Sequence, residues 1–217
     1  MEYEFSTKDE LLGKLRSYTT TPDDDNIRIK EKIKQLLLHT PELLYAFNEP
    51  ELEKELFDEN GNLNVDENGE PLGEWDRYFG DNSNIRPYLF FPEVQTEMKT
   101  YLCYQVQFTE APRNNSIEKY CQIVFTCFVY GTNNIPKEIG IPRHDLIMSI
   151  IREKFAWTNE FGQQFKLISD KESTTDNNYV VRTVIYQGTI LNSIVNTKNG
   201  NTKVINTGVN KANGRFT

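Results

Sequence analysis

The chain has 217 residues, of which 37% are hydrophobic, 26% charged and 12% aromatic, with a formal net charge of −8. That is enough apolar material for a buried core and too much for global disorder. A mean hydropathy of −0.61 and the lack of any run of ~18 uncharged apolar residues argue against a membrane helix, while three cysteines rule out a fully paired disulfide framework and favour a reducing compartment.

The N-terminal third reads as helix and loop. Its acidic start has neither the basic residues nor the apolar run of a secretory signal, so none is expected. Thr7 with Glu10 three residues on fits a capping box for a short helix over Asp9 to Arg16. A Thr/Pro/Asp linker over 19–26 precedes an amphipathic helix with Ile29, Ile33, Leu36 and Leu37 on one face. Thr40-Pro41 opens another helix, carrying Leu43, Leu44, Tyr45 and Phe47, because Pro at the first helical position forfeits no hydrogen bond. From Glu49 to Asp76 eleven acids face one lysine, a net −10, so the other 189 residues sum to +2. Within that window Asp58-Glu-Asn-Gly and Asp66-Glu-Asn-Gly repeat at a spacing of eight, which predicts hairpin-type turns on a mobile excursion.

The period then changes from helix to strand. Leu102, Tyr104, Val106 and Phe108 alternate with Tyr101, Cys103, Gln105 and Gln107. Tyr120 to Tyr130 alternates in the same way, and the polar stretch 111–118 predicts a long hairpin between the two. A helix is expected from about Ile141 to Trp157, with Leu146, Ile147, Ile150, Ile151 and Phe155 as its buried stripe, Asp145 in its first turn and Lys154 in its last. Phe165 to Ser169 and Tyr179 to Leu191 read as two more strands joined by a polar turn over Asp170 to Asn178. The fold class expected is α+β: a small antiparallel or mixed sheet packed by a helix, in the order strand-strand-helix-strand-strand, with an N-terminal helical region and an extended C-terminal arm. The units are residues 1–48 (helical), 49–83 (acidic insertion), 84–195 (α+β core) and 196–217 (arm). From Lys198 onward the arm carries four basic residues and no acid.

Chemical motifs are sparse. Cys121 and Cys127 share a strand face about 20 Å apart at ~3.3 Å per residue, so they cannot ligate one ion and read as small core residues. His39 and His144 are each single, and no metal or cofactor is expected. Asp58, Asn60 and Asn62 match calcium-loop positions 1, 3 and 5. Leu63 stands where the sixth position needs Gly, and Gly69 where the twelfth needs Glu, so surface turns are the default. Nucleophile elbows and phosphate loops are absent. Side chains of adjacent helical residues point about 100° apart, which makes His144–Asp145 a poor base–orienter pair. Asn114-Asn115-Ser116 matches a glycosylation sequon, with nothing else arguing for secretion. No basic stripe interleaved with aromatics suggests nucleic-acid recognition, and the cationic tail offers only salt-sensitive contact. An enzyme is not expected.

The run Asn84-Ile-Arg-Pro-Tyr-Leu-Phe-Phe-Pro-Glu-Val-Gln-Thr-Glu-Met-Lys, the motif Gly140-Ile-Pro-Arg-His-Asp-Leu-Ile, and Asp170-Lys-Glu-Ser with Asn178-Tyr-Val-Val-Arg-Thr resemble small neck and tail-completion proteins of tailed bacteriophages, particularly the tail terminator family. The resemblance covers roughly Asn84 to Val195. It implies an α+β subunit of a homo-oligomeric ring, usually a hexamer, that caps the tail tube and faces the head-tail connector. Its partners would be the tail tube protein and portal-side proteins. DNA would pass nonspecifically through the lumen, no membrane would be involved, and the protein would sit in the virion neck after assembly in the host cytoplasm. The N-terminal helices and the acidic insertion depart from that pattern and leave open which ring of the neck it forms. Candidate subunit-interface residues are Asp58, Glu59, Asp66 and Glu67 in the acidic segment, Asp170 and Glu172 in the polar turn, and Lys203, Lys211 and Arg215 in the arm. Two other readings stand beside it: a head-tail adaptor or stopper on the portal side, and a metal-dependent nuclease-like enzyme using Asp170 and Glu172.

Overall fold

A computed structural model describes residues 7–18, 25–90, 92, 98–109, 118–161, 164–175, 178–191, 194–196 and 202–204. Helices α1 (Lys8–Ser17), α2 (Asp25–Leu38), α3 (Pro41–Ala46) and α4 (Pro50–Leu56) lead into a 3-10 turn at Trp75–Tyr78. Strands β1 (Ile85–Arg86), β2 (Tyr101–Thr109) and β3 (Glu118–Tyr130), helix α5 (Arg143–Phe155), and strands β4 (Lys166–Thr174) and β5 (Tyr179–Leu191) follow. The five strands form one mixed sheet in the order β1-β2-β3-β5-β4. β1 runs parallel to β2, and every other pairing is antiparallel. This is the α+β architecture expected from the strand and helix periods. The short strands β6 (Ile194–Asn196) and β7 (Thr202–Val204) pair with each other where an extended arm is expected, and the rest of the arm lies outside the described residues.

The helical boundaries follow local chemistry. The capping box of α1 forms as its residues predict: the Thr7 side chain accepts from the Glu10 N–H, and the Glu10 carboxylate accepts from the Thr7 N–H. No residue of α1 is buried. Both α3 and α4 start on a proline at the first helical position. Helix α4 lies inside the acidic window and was not expected there, although Leu52 and Leu56, four residues apart, bury its inner face.

Helices α2, α3 and α5 cover one face of the sheet. Ile33, Leu37, Leu43, Leu44, Ile147, Ile151 and Phe155 join Leu102, Tyr104, Ile123, Phe125, Cys127, Val184 and Tyr186 in a single buried cluster, so the N-terminal helices and the sheet share one core. Polar ties fix α2 across β2 and β3. The Tyr104 hydroxyl donates to the Lys30 carbonyl at 3.1 Å, Asn26 donates to the Val106 carbonyl at 3.3 Å, and Asp25 pairs with Lys119. The other face carries a smaller cluster of Tyr101, Cys103, Phe128, Tyr179 and Val181, with Arg86 stacked 3.8 Å from the Phe90 ring centroid. Of the 111–118 stretch expected as the hairpin loop, Glu118 begins β3 and the rest lies outside the described residues, but the two strands pair directly, from Tyr101 opposite Phe128 to Thr109 opposite Tyr120.

All three cysteines are free and buried. Burial pushes the Cys103 thiol up to about 11 and the Cys121 thiol up to about 12, which keeps both protonated and inert at neutral pH.

Strand β4 departs from expectation. It was to end at Ser169, with Asp170 and Glu172 on a turn, but pairing with β5 continues to Thr174 opposite Val180. An edge strand half in solvent carries charged side chains as readily as a turn does, so its residue types conceal it. The register also slips between Leu167 and Ser169, where the extra Ile168 makes a bulge.

One tight fit tests this packing. At Gly188, opposite Cys121, an added Cβ would stand 2.8 Å from the buried Phe165 ring. Gly188→Val should destabilise the chain by about 1–3 kcal/mol through overpacking. Urea unfolding with an unchanged slope would read this as a shift in midpoint, and an unshifted midpoint would contradict the contact.

Candidate functional site

The functional side chains gather where the N-terminus of α5 overhangs β4 and β5. The bulge at Ile168 creates this arrangement. Leu167, opposite Tyr186, faces the helices; without the extra residue the next helix-facing positions would be Ser169 and Lys171. With it, Asp170 pairs opposite Val184 and Glu172 opposite Arg182, so both carboxylates turn toward α5.

Asn134 organises the helix end. Its backbone carbonyl accepts the Arg143 N–H at 2.6 Å, and its side-chain oxygen accepts the His144 Nδ1–H at 2.9 Å. Arg143 is buried and donates from Nη1 to the Ala46 carbonyl, which ties α5 to the end of α3. His144 is 4% exposed. Its Nε2 stands 3.6 Å from Asp145 Oδ1 and 3.6 Å from Glu172 Oε2. Adjacent helical residues therefore do converge here, but at a separation longer than a hydrogen bond.

Arg182 lies beside this group. It donates to both Asp170 oxygens, at 2.9 and 2.7 Å, and also reaches Asp145 Oδ1. The fork geometry suits a guanidinium and a carboxylate in one plane. Its hydrogen bonds and then its charge hold the Asp170 carboxyl below the usual carboxylate range, and the two carboxylates raise the Arg182 pKa in turn. Arg152 adds positive potential at Asp170. The Tyr186 hydroxyl, buried and without a hydrogen-bond partner among the described residues, feels the same three charges, and burial pushes it up to about 12.

The acidic segment is a different construction. Its two Asp-Glu-Asn-Gly units repeat in space as well as in sequence. The Asn64 N–H donates to the Leu56 carbonyl at 2.8 Å, and eight residues later the Leu72 N–H donates to the Asn64 carbonyl at 2.9 Å. Each aspartate closes its own turn. Asp58 Oδ1 accepts the Asn60 and Asn62 N–H groups at 2.8 Å, and Asp66 Oδ1 accepts those of Asn68 and Glu70 at the same distance. These donors hold both carboxyls below the ordinary range. Gly61 and Gly69 end the units at φ of 79° and 83°, in the left-handed region where glycine carries no Cβ penalty. The tandem is also anchored: the Trp75 indole donates to the Glu55 carbonyl at 2.6 Å, and Arg77 pairs with Glu55 at 2.7 Å.

The expected interface residues thus divide. Asp58 and Asp66 are turn-forming, while Glu59 and Glu67 stand exposed at the two tips. Asp170 and Glu172 join the α5 cluster on a strand. Lys203 falls on β7, and Lys211 and Arg215 lie outside the described residues. Asn134 and Arg182 were missed. The hint was Asn134 ahead of a helix with no capping side chain at its Pro142 boundary.

Comparison with known proteins gives a family. A family model described as YomW matches residues 30–188, most of the helical layer and the sheet, and the chain belongs to that phage-associated family. No curated protein matches it.

The Arg182–Asp170 pair predicts a pH response. A carboxyl with a depressed folded-state pKa contributes stability that is complete above its ordinary value of ~4 and lost as pH falls through the depressed one. Arg182→Met should lower stability at pH 7 by about 1–2 kcal/mol, discounted because both groups are partly in water. It should also flatten the fall in urea stability between about pH 4 and pH 2. An equally steep acid limb in the variant would remove Asp170 as its source.

Proposed function

We propose that this YomW-family chain is a non-enzymatic structural protein of a tailed-phage virion, a subunit of a neck ring that terminates the tail tube and faces the head-side connector. The observation that carries this reading is strand β4. It is nine residues long, ends the sheet, is mostly exposed, and has no strand on its outer edge among the described residues. An open edge of this length is a template for a neighbouring chain unless it is guarded. Lys166, Asp170, Lys171 and Glu172 supply charges that restrict which neighbour fits. Ile135, Ile139 and Ile141 are exposed on the loop before α5 at 63%, 47% and 46%, apolar area that a heterologous subunit contact would cover.

The two anchored turns add a projecting anionic surface. The side chains of Glu59 and Glu67 take no part in holding the turns, so their charge is available to a cationic partner surface on an adjacent ring or the next subunit. The family match supports the phage setting.

Native mass spectrometry over a concentration series, with negative-stain images, should give a closed ring with a hexamer mass. In pulldowns, the chain should retain tail tube protein in preference to portal. Portal capture alone would overturn the terminator assignment in favour of an adaptor or stopper. A strict monomer that captures neither would overturn the neck reading itself. Glu59→Lys with Glu67→Lys should leave the thermal midpoint unchanged and weaken tube capture most at low salt, where charges are least screened. Undiminished capture would remove the acidic tips from the contact.

A further inference from the structure

We propose that His144, Asp145 and Glu172 form a site for one divalent transition-metal cation that clamps strand β4 to the first turn of α5. Their three ligand atoms lie within 4.8 Å of one another. The inference is independent of the ring assignment.

The imidazole is set up as a ligand. It is nearly fully buried, and its Nδ1–H is held by the Asn134 side-chain oxygen at 2.9 Å. An amide oxygen only accepts, so Nδ1 carries a proton, and in the neutral tautomer this selects, the Nε2 lone pair faces the carboxylates. A second hydrogen bond that fixes tautomer and ring orientation is the usual companion of a metal-bound histidine. Nε2 makes no hydrogen bond among the described residues, and two carboxylate oxygens stand 3.6 Å from it.

Three electron-rich atoms facing one another favour a cation between them, beyond the Arg182 guanidinium that already reaches Asp145 Oδ1. A proton on Nε2 would draw one oxygen to hydrogen-bond distance, ~2.9 Å. Two oxygens equidistant at 3.6 Å match instead the spacing of ligands around a shared ion. Atoms ~2.1 Å from a tetrahedral centre stand ~3.4 Å apart. The exposed Glu172 side chain supplies the small remaining adjustment.

The charges agree. Asp145, Asp170 and Glu172 bring three negative charges, and Arg182 neutralises one through its fork on Asp170. Asp145 and Glu172 remain as the two carboxylates facing the imidazole, a pair that a divalent ion suits, with Arg152 adding positive potential at Asp170. Arg182 also donates to Asp145 Oδ1, the same oxygen that stands 3.6 Å from His144 Nε2, and so fixes that carboxylate beside the imidazole. One nitrogen and two carboxylate oxygens suit Zn²⁺ or Co²⁺ better than Mg²⁺, which demands an oxygen octahedron. Asp145 and Glu172 are 37% and 59% exposed, so the ion has a path in, and water completes its coordination. The acidic turns make a weaker candidate, because Asp58 and Asp66 already spend their carboxylates on backbone N–H groups.

The test uses the full chain stripped with a chelator and titrated with Zn²⁺ by calorimetry. Titration with Co²⁺, followed by visible absorption, reports the ligand field. One ion per chain should bind and raise the thermal midpoint, since it binds the folded state selectively. Glu172→Gln, at an exposed position, should keep the metal-free midpoint and lose about tenfold or more in affinity. Asn134→Ala should weaken binding by about 10–100-fold through the freed imidazole. No binding by the wild-type chain would overturn the proposal. So would unchanged affinity in Glu172→Gln, which would locate the ion elsewhere, for example on the acidic turns.

Discussion

Phe125 is the contact on which the rest of the molecule depends. It lies at the middle of β3, fully buried, with its ring centroid 4.7 Å from Phe155 of α5, 6.1 Å from Tyr186 of β5 and 6.4 Å from Tyr104 of β2. One side chain therefore joins the central strand to both neighbouring strands and to the covering helix. Large aromatic rings suit that position because each buries much apolar area and still prefers defined offset or edge contacts. The chain of rings continues from Phe155 through Phe161 to Phe165, which carries the packing out to the start of β4.

Once α5 is seated on Phe125, its N-terminus is committed to a fixed place over the sheet edge. The polar cluster there is a consequence of that seating. Asn134 holds the first turn, His144 is carried beneath it, and β4 presents Asp170 and Glu172 from the strand side. The helical layer is locked separately: Tyr104 touches Phe125 with its ring and α2 with its hydroxyl, so a single residue links the aromatic core to the N-terminal third. This accounts for a family match that runs from within α2 to near the end of β5, since residues 30–188 span one hydrophobic core.

The acidic segment follows another logic. Its order comes from short-range hydrogen bonds repeated every eight residues, with aspartates as acceptors and glycines at the turns. It touches the core through Leu56, Phe57, Val65 and Trp75. The high negative charge is compatible with folding because Glu59 and Glu67 project into water while Glu49 and Glu55 are paired with Lys99 and Arg77. The expectation of hairpin-type turns was sound; a free excursion gives way to a tandem pinned at both ends.

Local rules written in the residues determined much of this protein. The capping box at Thr7, the proline start of α3, the inward faces of β2 and β3, the apolar stripe of α5 and the α+β class all follow from periods of 3.6 and 2 and from capping chemistry. The site was not legible in the same way, because its members come from separate elements: Asn134 from a loop, His144 and Asp145 from a helix, Glu172 and Arg182 from two strands. Searching for ligands by sequence spacing finds only two isolated histidines, His39 and His144. The decisive feature was the bulge at Ile168, which no residue type announces. Side-chain direction in a strand alternates with a period of two, so one inserted residue moves every later side chain to the other face. Only the pairing of β4 with β5 decides where that residue is inserted, and it is this pairing that brings Asp170 and Glu172 to α5.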